Sequence, residues 1–291
     1  MTPFDPVVLL RRRGLLTSDD VTAEPLKGGY LNQVLRLRGE GIDWVVKRFA
    51  AGSGKTLFPN LPRDEYRALQ AASALDLAPR PVAFLDEADA PVLVYGYCPG
   101  LPWRDGVEGV GGLLRRLRAI DASGFRPVPM TPAAILSQGD DFLPAAGGET
   151  RQRLKDTCPR PIEATPVAPS FLHTDLGPGN IIVDGDDLRV IDWQCPAAGD
   201  AVEDIAAFLS PAFQILYGCP SLTAEQERAF FAAYGDRDTE TRYDLLRPFY
   251  DWRMACYCAF RVADHAERRP EASAAYARAV VALLHRLETK R

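Results

Sequence analysis

The sequence FLHTDLGPGNIIVDGDDLRVIDW, residues 171–193, carries the strongest structural pattern in this chain. Two short apolar runs, residues 181–183 and 188–191, flank a polar DGDD turn, and this pattern predicts an antiparallel hairpin. Asn180 precedes the first run by one position and Asp192 follows the second by one, about four residues before and about five residues after the turn. The predicted hairpin therefore places an amide oxygen and a carboxylate side by side.

Oxygen ligands of these two kinds suit a hard cation such as Mg²⁺. Asp175 lies five residues before Asn180, and the Gly-Pro-Gly loop between them can turn the Asp175 carboxylate toward the same point. Phosphoryl transfer requires a base beside a pair of metal-ligating residues, because the reaction needs a positioned hydroxyl and neutralised phosphate charge. The residues alone leave an alternative open, in which Asp175 caps a loop, Asn180 fills a turn and Asp192 ends a strand in solvent.

A lysine in an apolar run supplies a candidate phosphate contact. Lys47 follows two valines, where an ammonium is out of place unless it is paired. Glu65 on the following predicted helix is the candidate partner, since a Lys–Glu pair that brackets phosphates recurs in kinases. Gly28 and Gly29, at the mouth of a predicted hairpin, are placed to pass over phosphates. The other interpretation of Lys47 is an edge-strand lysine whose ammonium reaches water.

The apolar pattern divides the chain into a small β-rich part and a larger helical part. The first part contains a predicted hairpin, a helix and two strands, at residues 26–49, 64–75, 82–85 and 92–97. Helical patterns then dominate, at residues 112–120, 133–136, 226–234, 245–264 and 272–287. Residues 144–169 are rich in Pro and Gly, and 159–169 are predicted to form an irregular loop. The sequence therefore predicts an α+β chain with two lobes, residues 1–98 and 99–291.

The order of these motifs resembles that of the aminoglycoside phosphotransferase and choline kinase family of small-molecule kinases. The matching motifs span residues 24–210 and include GGYLN at 28–32, LVYGY at 93–97, H-x-D-x₄-N at 173–180, IDW at 191–193 and DIA at 204–206. The resemblance implies a two-lobed protein-kinase-like fold with a β-rich N-lobe, a mostly helical C-lobe and ATP in the cleft.

The resemblance also implies a role for each matched polar residue. Asp175 would be the catalytic base, and Asn180 and Asp192 would be the Mg²⁺ ligands. Lys47 would contact the phosphates of ATP while Glu65 holds it.

The nucleotide-binding set implied by the resemblance extends to the connecting segment. The backbone around Tyr95 and Tyr97 would contact adenine, and Gly28 and Gly29 complete the set. Gly96 departs from the acid that the family often carries in this segment, but the contact is expected to use backbone groups.

Four further features of the sequence support or qualify the match. Gln194 stands where the family often carries an acid, which weakens the link to the choline subgroup. His173 is interpreted as a structural imidazole that shapes the catalytic loop. Residues 200–203 predict a capping box at a helix that begins near residue 201, and Asp204 is predicted to be buried and to accept hydrogen bonds from the catalytic loop.

Two other phosphate-handling classes are disfavoured. Thr174 replaces the Arg of the H-R-D pattern, and neither a G-x-G-x-x-G nor an A-P-E segment is present, so a protein kinase is not indicated. The GSGKT sequence at residues 52–56 resembles the end of a P-loop, but Phe49 occupies the position of its first glycine.

Composition limits the partners. With 34 Lys+Arg against 39 Asp+Glu, the net charge of -5 disfavours nucleic acid. No apolar segment is long enough to span a membrane, and no signal peptide is indicated. The 6 cysteines are dispersed, and the one close pair lacks CxxC spacing. We therefore expect reduced thiols and a cytoplasmic protein.

The acceptor is the least explicit feature of the sequence. Aromatic residues within 243–260 are interleaved with Asp244 and Asp251, and such a set suits an ammonium-bearing alcohol or amino sugar. The other interpretation is a helix core with a solvated acidic side. The expected function is transfer of the ATP γ-phosphate to a hydroxyl of a small molecule. The excess of acidic residues in the chain favours a cationic acceptor. The alternative is a non-catalytic, kinase-fold nucleotide-binding protein.

Overall fold

The structure is a computed structural model that describes residues 4–18, 20–26, 31–51 and 55–289. Its internal contacts define two compact units. The N-terminal unit comprises Met1–Gly100 and Arg189–Cys195, and the C-terminal unit comprises Leu101–Leu188 and Pro196–Arg291. The segment that carries Asp192 thus packs with the N-terminal unit, whereas the sequence places it within residues 99–291.

The N-terminal unit is built on a five-stranded sheet. In chain order its elements are α1 Pro6–Arg12, β1 Val21–Pro25, β2 Gln33–Gly39, β3 Ile42–Arg48, α2 Pro62–Ser73, β4 Pro81–Leu85 and β5 Val92–Gly96. The strand order is β1-β2-β3-β5-β4, with antiparallel neighbours. The predicted hairpin, helix and two strands are therefore confirmed, and the helix ends two residues earlier than predicted.

Alternation along β2 explains the core of this unit. Leu35 and Leu37 are buried while the residues between and around them are less so, as expected for a strand with one face on a core. They pack in one cluster with Leu9 and Leu10 of α1. Asp5 caps α1 by accepting hydrogen bonds from two backbone N–H groups. The sequence does not predict this short helix.

The C-terminal unit is mainly helical. Its helices are α3 Val107–Leu117, α4 Pro132–Asp140, α5 Gly148–Thr157, α6 Val202–Phe208, α7 Pro211–Leu216, α8 Ala224–Tyr234, α9 Arg237–His265 and α10 Pro270–Glu288. The strands after residue 100 are β6 Leu101–Pro102, β7 Arg126–Pro127, β8 Ser170–Leu172, β9 Ile181–Asp184, β10 Asp187–Val190 and β11 Ala197–Gly199. The end of β10, from Arg189, belongs to the N-terminal unit. Strands β9 and β10 form the predicted hairpin. In the part of the chain that the structure describes, no helix has the length and apolarity needed to cross a membrane.

Two helical segments differ from the predictions. Helix α5 lies inside the Pro- and Gly-rich region 144–169, where no helix was predicted. Only Leu154 and Thr157 of this helix are buried, so its sequence shows little periodicity. Helix α9 begins eight residues before the predicted start, because Asp236 caps a polar first turn that carries no apolar pattern. The irregular segment predicted at residues 159–169 is confirmed.

Candidate active site

Lys47 lies in the middle of the five-stranded sheet. Strand β3 pairs with β2 on one side and β5 on the other, where Lys47 is opposite Val34 and Leu93. The side chain is only 3% exposed. The interpretation of Lys47 as an edge-strand lysine that reaches water is therefore wrong.

Helix α2 presents Glu65 to this lysine. Its buried residues are Glu65, Ala68, Leu69 and Ala72, which share one face of a helix. The Lys47 ammonium donates to both Glu65 carboxylate oxygens, at 2.9 and 2.8 Å. The predicted contact between the two residues is confirmed.

Asp192 is a second carboxylate on the same ammonium. Lys47 Nζ lies 2.6 Å from Asp192 Oδ1. Burial lowers the pKa of Lys47, but the attraction of Asp192 and Glu65 outweighs burial and the net pKa is raised. Lys47 is therefore held as a cation. Asp192 is 36% exposed, so its carboxylate remains accessible to another cation.

The backbone around Asp192 is fixed in an unusual conformation. Asp192 has a φ of 62°, in the left-handed region that Asp tolerates better than most residues. The neighbouring Trp193 is fully buried and its indole N–H donates to the Val190 carbonyl. The Gln194 carbonyl accepts from the N–H of Leu61, the residue that precedes α2. The segment is thus tied to the start of the helix that carries Glu65.

The predicted adenine-contacting segment ends strand β5. Tyr95 is buried, and burial raises the pKa of its phenol. The N–H groups of Gly96 and Tyr97 donate to the carbonyls of Arg80 and Asp43, at 2.9 and 2.8 Å. A backbone contact to adenine would use other groups of this segment. Residues 27–30, which include Gly28 and Gly29, and residues 52–54 of the rejected P-loop lie outside the described residues.

The loop after β8 carries the predicted catalytic base. His173 and Thr174 donate their backbone N–H groups to Asp204 Oδ2 and Oδ1, at 2.8 and 2.7 Å. Asp204 is buried, so the prediction that it supports this loop is confirmed. Thr174 has a φ of 67°, a strained conformation for a β-branched residue. The paired N–H bonds to one carboxylate stabilise that turn.

Asp175 and Asn180 are joined through the loop backbone. Asn180 Nδ2 donates to the Asp175 carbonyl at 2.8 Å, and Gly177 N–H donates to the same oxygen at 2.9 Å. The Asn180 amide is thereby oriented, with its Nδ2 used and its Oδ1 turned away from that bond. Asp175 itself is half-buried. The loop backbone at Asp175 and the Asn180 amide are therefore fixed relative to each other.

Helix α6 does not begin with the predicted capping box. It starts at Val202, after the N-cap residue Ala201, which makes no side-chain capping bond. Asp200 Oδ1 accepts from the Val202 N–H at 3.1 Å, whereas the Glu203 N–H donates to the Asp200 carbonyl. The Glu203 carboxylate does not return to the Asp200 backbone but pairs with the buried Arg253. A stronger, charged partner explains the difference.

Two side chains, one in each unit, have the oxygen donors that Mg²⁺ accepts as ligands. Asp192 offers a half-exposed carboxylate and Asn180 an oriented amide oxygen, and Mg²⁺ accepts such ligands while it keeps waters and substrate phosphates. Among the described residues, no group of three or more His, Cys, Asp or Glu side chains could hold a metal.

The aromatic cluster predicted as a candidate acceptor site is helix core. Its members in α9 that are buried include Tyr243, Phe249, Tyr250, Trp252 and Tyr257. The Asp251 carboxylate among them pairs with Arg286 at 2.8 Å. The aromatic side chains therefore follow the helix-core alternative, whereas Asp251 is buried and does not lie on a solvated acidic side. The 6 cysteines are free thiols.

Three neighbours of the catalytic loop were missed by sequence reasoning. Arg126 of β7 donates to the Thr174 hydroxyl at 3.4 Å. Tyr217 lies against the Gly-Pro-Gly loop, and Arg104 donates to the Tyr217 carbonyl at 2.9 Å. All three are distant in sequence from residues 173–180, and none belongs to a motif. Only the paired glycines of the loop signalled that a bulky group approaches there.

The N-terminal unit holds a buried lysine between two carboxylates, and the C-terminal unit holds an Asp–Asn loop. Both features are typical of phosphotransferases of the kinase-like class. Residues 22–249 match the model of APH, the phosphotransferase enzyme family. Because the match covers more than half of the 291 residues, the chain belongs to this family. No curated protein is significantly similar in sequence.

Solved structures of three kinases and phosphotransferases share the fold. A choline/ethanolamine kinase family protein from Mesorhizobium loti is 16% identical, with 92% of each chain covered and a TM-score of 0.63. The choline kinase LicA from Streptococcus pneumoniae is 18% identical, with 96% of this chain and 98% of that chain covered and a TM-score of 0.63. The spectinomycin phosphotransferase APH(9)-Ia is 12% identical, with 98% and 99% covered and a TM-score of 0.67. The predicted kinase-like fold is confirmed.

Proposed function

We propose that this protein transfers the γ-phosphate of ATP to a hydroxyl group of a small molecule, with Mg²⁺ as the metal. The observation that carries the proposal is Lys47, a buried cation held by two carboxylates at 2.6–2.9 Å. A structural ion pair needs one carboxylate for one ammonium. The second carboxylate, Asp192, is half-exposed and therefore suited to a second cation.

Each residue has one task in the proposed reaction. Lys47 contacts the phosphates, and Glu65 keeps the ammonium in place and charged. Asp192 and the Asn180 amide oxygen are the proposed ligands of Mg²⁺, which when bound neutralises phosphate charge. The backbone around Tyr95 and Tyr97 is the proposed adenine contact.

Asp175 is the proposed base. The acceptor oxygen forms a bond to the γ-phosphorus while the bond between that phosphorus and the β,γ-bridging oxygen breaks, and the hydroxyl proton passes to the Asp175 carboxylate. ADP and a phosphate monoester are the products. The Asn180 and Gly177 bonds to the Asp175 carbonyl fix the backbone from which the carboxylate extends.

The proposed nucleotide and acceptor classes draw support from the similar structures. One spectinomycin phosphotransferase structure is a complex with ADP and spectinomycin, and an amicoumacin kinase structure contains AMP-PNP and Ca²⁺. We propose an amino sugar, an amino alcohol such as choline or ethanolamine, or a related metabolite as the acceptor. We also propose a cytoplasmic location, where ATP is available.

The test is phosphate transfer from ATP to a broad panel of amino alcohols, amino sugars and hydroxy amino acids, followed as acceptor-dependent ADP release. Asp175→Asn is the control, because it keeps the shape of the side chain but removes the base, and it should lower kcat by about 10²–10⁴-fold. Tight ATP binding without Mg²⁺-dependent turnover on any acceptor would favour a non-catalytic nucleotide-binding protein. Equal turnover by Asp175→Asn would show that another group is the base.

A further inference from the structure

The ring of Tyr217 straddles the loop between Asp175 and Asn180. A Cβ atom added to Gly177 would overlap Cε2 of this ring and lie 2.7 Å from Cδ2. A Cβ atom added to Gly179 would overlap Cδ1 and Cε1, on the opposite edge of the ring, and lie 3.3 Å from Cγ. One ring therefore fills the side-chain space of both glycines.

Space, and not backbone conformation, makes glycine necessary at these two positions. Gly177 has a φ of -93°, and neither Gly177 nor Gly179 is among the residues with positive φ. An alanine could adopt the same backbone conformation. The sequence Gly-Pro-Gly is therefore explained by the close approach of Tyr217.

Helix α7, which ends at the residue before Tyr217, is anchored independently of the loop. Ser210 caps α7 by accepting from the Ala212 N–H at 3.2 Å, and the buried Gln214 donates to the Phe208 carbonyl at 2.7 Å. Helix α7 also packs against α10. At the end of α7, Arg104 donates to the Tyr217 carbonyl at 2.9 Å. The ring is thus presented by a fixed element.

The hydrogen bonds within the loop and the contact with Tyr217 have different structural roles. The bonds from Gly177 N–H and Asn180 Nδ2 to the Asp175 carbonyl run inside the loop and set its shape. The ring belongs to another element of the C-terminal unit, so it sets where the shaped loop lies.

We propose that Tyr217 is a positioning residue, which holds the loop that carries Asp175 and Asn180 in place for phosphate transfer. Its kinetic consequence rests on the proposed function, whereas its effect on the loop does not. The essential part of the side chain is the ring, since both glycines contact ring carbons.

Hydrogen exchange measures the effect on the loop without any substrate. In Tyr217→Ala, amides in a peptide covering residues 173–183 should exchange at least about tenfold faster, because the open state of the loop is more populated. Tyr217→Phe keeps the ring and should restore slow exchange. The matched control is Leu216→Ala, which truncates the neighbouring half-buried side chain and should leave this peptide unchanged. Unaltered exchange in Tyr217→Ala would overturn the proposal.

A double-mutant cycle tests the same contact by a second route. Gly179→Ala should lower Tm in the native protein because the new methyl group displaces the ring, and should lower it much less in the Tyr217→Ala background, where the space is open. Equal losses in the two backgrounds would mean that the ring does not occupy this site. The test remains valid if Tyr217→Ala is itself less stable, since the cycle compares the loss in Tm that Gly179→Ala causes in the native protein and in the Tyr217→Ala variant.

Kinetics separate this proposal from the proposed function. With an acceptor found in the panel, Tyr217→Ala should reduce kcat by about 10–100-fold, in keeping with a misplaced base, with little change in KM for ATP, and Tyr217→Phe should restore kcat. A native protein that turns over no acceptor would count against the proposed function, while faster loop exchange would still support the positioning role. A rise in KM for ATP at unchanged kcat would contradict that role.

Discussion

Lys47 and Glu65 form an ion pair in the interior of the N-terminal unit, in which both carboxylate oxygens accept from one ammonium. Their side chains are 3% and 1% exposed. A buried charge that loses its partner costs far more than the pair contributes. This asymmetry allows the structural and functional roles of Lys47 to be separated.

Lys47→Met should lower the free energy of unfolding by about 3–5 kcal/mol, because Glu65 is left without its cation. The double variant Lys47→Met/Glu65→Leu should regain most of that stability, since two apolar side chains replace the pair, but should not regain ATP turnover. Urea unfolding and ADP release measure the two effects. Full stability in the single variant, or turnover in the double variant, would contradict these assignments.

Asp192→Asn should lower turnover while changing the free energy of unfolding only slightly. Asn tolerates the positive φ of 62° at this position, and the side chain is partly in solvent, so the loss of stability should stay below about 1 kcal/mol. Loss of the carboxylate should weaken Mg²⁺-dependent ATP binding and lower turnover by at least about 10²-fold if it ligates the metal. Calorimetric titration with ATP, with and without Mg²⁺, measures this. The control is Asp186→Asn, which changes an exposed residue in the hairpin turn. Retained turnover in Asp192→Asn would show that the metal site is misassigned.

Asp204 should make stability depend on pH in a defined direction. Burial raises the pKa of Asp204 from 3.8 to about 7, although the His173 and Thr174 N–H groups oppose the shift. The folded state then holds the proton more firmly than the unfolded state, so the stabilising contribution is complete below pH 3.8 and is lost as the pH rises toward 7.

The comparison variant for this effect is Asp204→Asn, which cannot titrate. The free energy of unfolding of the native protein, relative to this variant, should fall between pH 5 and pH 7 in urea titrations. The variant itself should be less stable by about 1–3 kcal/mol, since an amide accepts only one of the two backbone N–H bonds. A relative stability that rises with pH would show that the hydrogen bonds outweigh burial.

The sequence predicted those parts of the fold and site whose information is local. Alternation revealed the β2–β3 hairpin, and the DGDD turn between apolar runs revealed β9 and β10, because both signals lie within a few residues of the elements they describe. Glu65 was identified as the candidate partner of Lys47 because it lies on the next predicted helix and because Lys–Glu pairs that bracket phosphates recur in kinases. The roles of Asp175, Asn180 and Asp192 stay predictions.

Long-range relationships could not be read from the sequence. The contact between Asp192 and Lys47 joins segments far apart in the chain, and so does the contact between Tyr217 and Gly177. The aromatic residues of α9 suited either a ligand or a core, since helical spacing alone does not say what covers a face. Glu203 matched a capping pattern, but Arg253 is a stronger partner that only tertiary structure supplies.

Asn180→Asp separates the two roles of Asn180. Aspartate is a good Mg²⁺ ligand, so a residue that served only the metal would tolerate the change. However, Asn180 Nδ2 donates to the Asp175 carbonyl at 2.8 Å, and in the variant two acceptors would face each other in a loop that is largely buried. We expect a loss of about 1–3 kcal/mol in the free energy of unfolding and a lower kcat that neither excess Mg²⁺ nor Mn²⁺ restores. Recovery of kcat at high metal concentration, with native stability, would mean that Asn180 acts through the metal alone and that the loop does not depend on its amide.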